Sequence, residues 1–240
     1  MKHKKKLLMI CEGKSERELL QAVLKYYPIE AGYEIYEYKT NLHIFAQFLF
    51  TRYLNDSIDD LNMIQVLKDY RDDAVLNEKY TDILFIFDFD PQDPRYNIIT
   101  LRKLFDMFSD STNQGQLFIN YPMVESALDF NSLPESDYNH KTYAKRLLKQ
   151  NGYKNKVKLN SVIKEFKNID DTNLYIILKH TYLKMVYLCQ GSSNDYKYLL
   201  EVENTLLCEC DQISILCTCL LFLRDYNEEK FMRILANVAF

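Results

Sequence analysis

The chain has no tryptophan, and only five glycines and five prolines among 240 residues. So little glycine and proline excludes collagen-like and low-complexity architectures, in which those residues dominate. No apolar run approaches the roughly 20 residues that a membrane-spanning helix needs; the longest, Ile213 to Leu223, is about half that length. The amino end, Met1 to Lys6, is basic, but the apolar run behind it stops at Ile10, too short for a secretory core. These features lead us to expect a cytoplasmic protein with no membrane partner. Positive charge is not in excess either: the net charge is −4. Nucleic-acid contact would therefore have to come from a local basic patch.

The four histidines, His3, His43, His140 and His180, show no ligand spacing, and no Gly-x-Ser-x-Gly elbow is present. Gly13-Lys14-Ser15 matches the tail of a nucleotide-binding P-loop, but Leu8 stands where that motif needs its first glycine. Six cysteines lie mostly in apolar surroundings, which excludes a disulfide framework as the organising principle. Cys208-Glu209-Cys210 and Cys217-Thr218-Cys219 look like paired metal ligands. The segment between them continues a helical apolar pattern, and helix residues two apart point about 200° apart. We therefore expect buried helix thiols rather than a zinc site.

What the chain has is apolar residues, 48% of the total, and a clear alternation of patterns. Lys5 to Cys11 reads as a strand, followed by Gly13 and the capping-box pattern Ser15-Glu16-Arg17-Glu18. Leu19, Leu20, Val23, Leu24 and Tyr27 then recur at helical spacing until Pro28. Tyr33 to Lys39 alternates as a second strand. Two helices are expected between Leu42 and Tyr70, broken near Asn55-Asp56-Ser57. A strand from Asp82 to Asp88, a helix from Ile98 to Phe108 and a strand from Gln116 to Asn120 complete an α/β pattern of the parallel, doubly wound kind. After about Ser136 helical periodicity dominates: Tyr143 to Leu148, Val162 to Phe166, Leu174 to Leu188, Tyr198 to Leu223 and Phe231 to Val238. The expected organisation is an α/β unit over 1–136, with a helical insertion at about 42–70, and an all-helical half over 137–240.

Three of the expected strands deliver acids at or just beyond their carboxyl ends. Glu12 follows the first, Asp88-Phe89-Asp90 closes the third, and Tyr121-Pro122-Met123-Val124-Glu125 follows the last. In an open α/β sheet ligands bind outside those ends, and gathered acids call for a hard cation such as Mg²⁺. Such sites support phosphoryl transfer or phosphodiester cleavage. Asp93, between two prolines, reads as a turn residue, and Glu16 and Glu18 as helix-start acids.

Glu12-Gly13 after a first strand, with a later strand ending Asp88-Phe89-Asp90, resembles the Toprim domain of topoisomerases, primases, small ribonucleases and the overcoming-lysogenization-defect (OLD) nucleases. Pro122-x-x-Glu125-x-x-Leu128-x-Phe130 is similar to the segment after the fourth strand in Toprim-like proteins of the RloB and abortive-infection type, many of them antiphage. The resemblance covers residues 5 to about 130. It implies a Toprim-like Rossmannoid parallel sheet with helices on both faces. It also implies that Glu12, Asp88 and Asp90 are catalytic and bind Mg²⁺ or Mn²⁺, with Glu125 as an added metal ligand. The chain departs from the family in carrying Pro91-Gln92-Asp93-Pro94 where glycine is common after the aspartate pair, and in the length between Glu12 and Asp88.

Between Tyr138 and Lys164 there is no acid, while Lys141, Lys145, Arg146, Lys149, Lys154, Lys156, Lys158 and Lys164 are basic. Lys141, Lys145 and Lys149 at four-residue spacing predict one helix face that tracks phosphates, with Tyr143 and Tyr153 stacking bases. The function expected is a metal-dependent nuclease acting on DNA or RNA in antiphage defence. The alternative is a Toprim-fold binding or regulatory subunit without activity, working with a partner such as an ATPase. Self-association stays open.

Overall fold

The computed structural model describes residues 5–53, 61–112 and 114–239. The expected helix break at Asn55-Asp56-Ser57 lies outside the described residues, as does most of the basic amino end.

The chain is an α/β protein built on a mostly parallel sheet. It runs through β1 (Lys6–Cys11), α1 (Lys14–Tyr26), β2 (Gly32–Glu37), α2 (Leu42–Arg52), α3 (Met63–Tyr70), β3 (Asp82–Asp88), α4 (Ile98–Met107), β4 (Ser109–Asp110) and β5 (Gly115–Asn120). The strand order is β2-β1-β3-β5-β4, with β4 alone antiparallel. Leu7 to Cys11 and all of β3 are buried, as expected of central parallel strands covered on both faces. The edge strand β2 is only half-buried, with Tyr36 its one buried residue. One glycine is irreplaceable in this frame: Gly115 opens β5 at φ +112°, and a Cβ there would meet the Phe85 ring at 2.5 Å. On one face Phe45 of α2 stacks on Phe85 and Phe87 of β3 at 5.7 and 5.9 Å.

The carboxyl half departs from the all-helical expectation. Helices α5 (Gly152–Asn160), α6 (Asp171–Leu188), α7 (Tyr196–Cys210), α8 (Phe222–Tyr226) and α9 (Glu228–Asn237) are joined by an antiparallel pair, β6 (Thr142–Ala144) and β7 (Gln212–Ser214). The helix expected over Tyr198 to Leu223 ends at Cys210, because Asp211 takes a left-handed conformation (φ +54°) that closes α7. The helix expected from Tyr143 is strand β6 followed by a kinked 3₁₀ segment, Lys145–Asn151. Only a short 3₁₀ turn, Phe166–Asn168, forms near the helix expected from Val162.

The apolar run Ile213 to Leu223 is wholly buried. Leu216 exchanges both backbone hydrogen bonds with Tyr121, and the Thr218 hydroxyl donates to the Ile119 carbonyl at 2.8 Å. This run is therefore core laid against the end of β5, not an exposed interface. The cysteine reading changes with it. Cys208 and Cys210 are exposed at the end of α7, and Cys217 and Cys219 are buried at the start of a 3₁₀ turn, Thr218–Leu221, with sulfurs 3.5 Å apart. No described helix is long and apolar enough to cross a membrane.

Candidate functional site

β1 connects to β2 on one side, and the chain then returns to β3 on the other, so the strand order reverses between β1 and β3. At such a switch point a crevice opens beyond the carboxyl ends, and the acids stand around it. The Glu12 carbonyl accepts from the Lys39 amide at 3.0 Å, which holds the residue just beyond β1. The Asp88 carboxylate is buried and accepts from the Val124 amide at 2.8 Å. The Phe89 amide donates to the carbonyls of Asn120 and Pro122 at 3.0 and 3.1 Å. These bonds tie the end of β3 to the 3₁₀ turn Val124–Leu128, which carries Glu125.

A fourth acid joins them. Glu16 is buried, and its carboxylate accepts from the Gly13 amide at 2.9 Å. The expected capping box, Ser15-Glu16-Arg17-Glu18, is shifted: Gly13 is the N-cap and Glu16 the residue that reaches back to it, and the sequence pattern marks neither that bond nor the burial that makes Glu16 a member of the acid cluster. Among the described residues, the cation paired with this cluster is Lys154, whose ammonium lies 3.2 Å from Glu125; the two side chains are 43% and 14% exposed.

Burial, and then the charge of Glu16, push the Glu12 carboxyl up to about 8. Burial, and then Glu16, Glu12 and Glu125, hold Asp88 well above the usual carboxylate range. Glu16 is raised by burial and by Glu125. Burial depresses Lys154, but Glu125, Asp88 and Glu16 outweigh it and raise its ammonium overall. One lysine against four carboxyls, Glu16 and Asp88 buried and Glu12 and Glu125 half-buried, leaves negative charge that protons or a cation must offset.

One oxygen each of Glu12 and Glu125 is buried with no hydrogen-bond partner among the described residues. These oxygens and the all-carboxylate donor set suit a hard divalent ion. Among the described residues, no three His, Cys, Asp or Glu side chains already stand in coordinating geometry. Asp88, Glu16 and Glu125 are each engaged, by the Val124 amide, the Gly13 amide and Lys154 respectively.

Asp90 sits on a turn with φ +34°, half-exposed, and its charge contributes to raising Glu12. The turn is held by His43, which opens α2 and places Nε2 3.1 Å from the Phe89 carbonyl and 3.0 Å from that of Asp90. Both partners only accept, so Nε2 carries the proton. Nothing in the spacing of a lone histidine 45 residues before Asp88 marks this role. Asp93 accepts from Asn41 at 3.0 Å and from Arg95 at 2.8 Å, as a turn residue would.

The basic stripe does not form a helix face. β6 interrupts it, and Lys149 and Gln150 break the following segment with non-helical backbone. Lys141 is sequestered at 9% side-chain exposure, bound to the Asp129 carbonyl at 2.6 Å and to Glu135 at 2.9 Å. Lys156 pairs with Asp129 at 2.7 Å and covers the Tyr143 ring. Tyr153 is fully buried, so neither tyrosine offers a free face. Lys145 is half-buried, Arg146, Lys149 and Lys158 are exposed, and Lys154 belongs to the acid site.

No protein-family model matches the chain, and no curated protein or solved structure shows detectable similarity to it.

Proposed function

We propose that the chain is a Toprim-like, metal-dependent nuclease that hydrolyses phosphodiester bonds of DNA or RNA, with antiphage defence as its setting. The observation that carries this reading is the convergence of Glu12, Asp88 and Glu125 on the switch-point crevice, with unpartnered buried oxygens on Glu12 and Glu125. Glu12, Asp88, Asp90 and Glu125 would hold Mg²⁺ or Mn²⁺. When bound, the ion supplies charge neutralisation at the phosphate and a more acidic water. Asp88 and Glu16 orient the crevice walls through their bonds to the Val124 and Gly13 amides, and Glu12 holds or releases a proton near neutral pH.

The test is titration calorimetry of Mg²⁺ and Mn²⁺ into wild type and Asp88→Asn, paired with a cleavage screen on DNA and RNA. Asn keeps the acceptor for Val124 and removes the charge. Ion binding and cleavage in wild type, both lost in the variant with its fold intact, are expected. Cleavage unchanged in both Asp88→Asn and Glu12→Gln would sink the assignment.

A second reading has its own support: the Lys154 ammonium already neutralises part of the acid centre. In that case the fold is a binding or regulatory subunit, with an ATPase as a candidate partner, and wild type takes up no divalent ion.

A further inference from the structure

Beside the acid centre runs a cavity of about 680 Å³, walled by α1 on one side and by α5 with residues 164–169 on the other. Glu125, Lys154 and Lys14 stand at its acid end. Lys14 and Lys25 both lie on α1, eleven residues apart, so the groove follows the helix for about 16 Å. Six lysines and three glutamates line it. Each glutamate is matched within the groove: Glu18 by Lys14 at 3.2 Å, Glu125 by Lys154 at 3.2 Å and Glu165 by Lys167 at 2.5 Å. Among the described residues, no carboxylate lies within ion-pair distance of the remaining three, Lys25, Lys158 and Lys164. Between the lysines the floor is apolar: Leu128, Val157, Phe166 and Ile169 are buried and present only their edges, and Tyr26, half-buried beside them, offers more of its ring.

We propose that this groove holds a single strand of nucleic acid leading into the acid centre, a reading that rests on the nuclease function above. Lys164 donates to the Leu159 carbonyl at 2.7 Å and Lys25 lies over the Tyr26 ring, but none of the three ammonium groups is held in an ion pair, and three such cations at intervals along a groove suit a chain of phosphates. An apolar lining between them rewards bases whose faces are free, which a single strand offers and a duplex does not. The volume is that of a small-ligand pocket, enough for a short stretch of one strand. Lys158 and Lys164 come from the basic segment seen in the sequence; Lys25 comes from the opposite wall, and no sequence pattern joins it to them.

The test is fluorescence anisotropy in EDTA, where hydrolysis is off, with labelled oligothymidylate, oligouridylate, a hairpin duplex and a polyglutamate peptide. Wild type should bind one of the single strands at least tenfold tighter than the duplex or the peptide. Lys25→Gln/Lys158→Gln/Lys164→Gln should lose at least tenfold and show a salt dependence shallower by about 2 in log–log slope, from three phosphates at about 0.7 each. Asp88→Asn should retain single-strand binding. Unchanged affinity in the triple variant, or equal binding of duplex or peptide, would overturn the groove. Failure of the nuclease reading appears separately, as absent ion binding and cleavage while the triple variant still loses oligonucleotide affinity.

Discussion

Lys154 Nζ lies 3.2 Å from Glu125 Oε1, and the other oxygen of Glu125 is buried with no hydrogen-bond partner among the described residues. One carboxylate thus holds a resident cation on one oxygen and keeps the other for a further ligand. If the crevice takes a divalent ion, lysine and ion compete for the same negative charge.

Lys154→Met removes that competitor while keeping much of the aliphatic stem. Mg²⁺ affinity measured by calorimetry should rise several-fold. The ion-free protein should lose on the order of 1 kcal/mol in urea unfolding, a modest figure because the lysine is 43% exposed and the pair partly solvated. Weaker ion binding in the variant would instead mark Lys154 as a support for the site.

The acid cluster also sets a pH dependence. Glu12 is pushed from about 4.5 to about 8 by burial and by Glu16, and Asp88 and Glu16 are raised in the same direction. The folded state therefore binds more protons than the unfolded state between those values, and stability falls as pH rises through that window. Ion-free protein should melt at a higher temperature at pH 5 than at pH 8. Mg²⁺ should restore stability at pH 8, by about 2.7 kcal/mol at a hundred times its Kd, and do little at pH 5, where protons hold the ligands. Asp88→Asn should flatten both effects. A melting temperature that climbs steadily from pH 5 to pH 8 without ion would contradict the coupling.

The positions of Glu12, Asp88, Asp90 and Glu125 could be read from the chain because each follows a short apolar run, and central parallel strands are apolar on both faces. Glu16 was legible only as a helix-start acid, because burial depends on what packs over the first turn of α1. The lysine stripe misled for the reverse reason. Four-residue spacing says nothing of Asp129 and Glu135, which lie upstream in sequence and draw Lys141 and Lys156 inward. Likewise Ile213 to Leu223 has enough apolar residues for one helix, but backbone pairing with Tyr121 holds its first part extended, and only from Thr218 onward does it turn into a 3₁₀ segment and α8.

His43 makes its contribution through backbone carbonyls, so its removal should be felt first in the Asp88–Asp90 turn. His43→Ala leaves the buried Phe89 carbonyl short of its donor, while that of Asp90 keeps the Asp93 amide, and should cost about 1–3 kcal/mol in urea unfolding. If the turn carries an ion ligand, Mg²⁺ affinity should fall as well, and His43→Gln, with a donor of similar reach, should recover part of both losses. A full stability loss with ion affinity untouched would confine His43 to a packing role.

The basic segment divides into lysines that hold the fold and lysines free to meet a ligand, and stability measurements separate them. Lys141 is 9% exposed and spans Asp129, itself 1% exposed, and Glu135. Truncation leaves Asp129 to Lys156 alone and takes from half-buried Glu135 its lysine partner, so Lys141→Met should cost about 1–3 kcal/mol. Lys149 is exposed, with no carboxylate within ion-pair distance among the described residues, and Lys149→Gln should stay within about 0.5 kcal/mol of wild type. Urea unfolding of the two variants under one buffer gives the comparison directly. Equal stabilities would mean that Asp129 and Glu135 find other partners when Lys141 is gone, and the buried network would then not be what dismantles the predicted helix face.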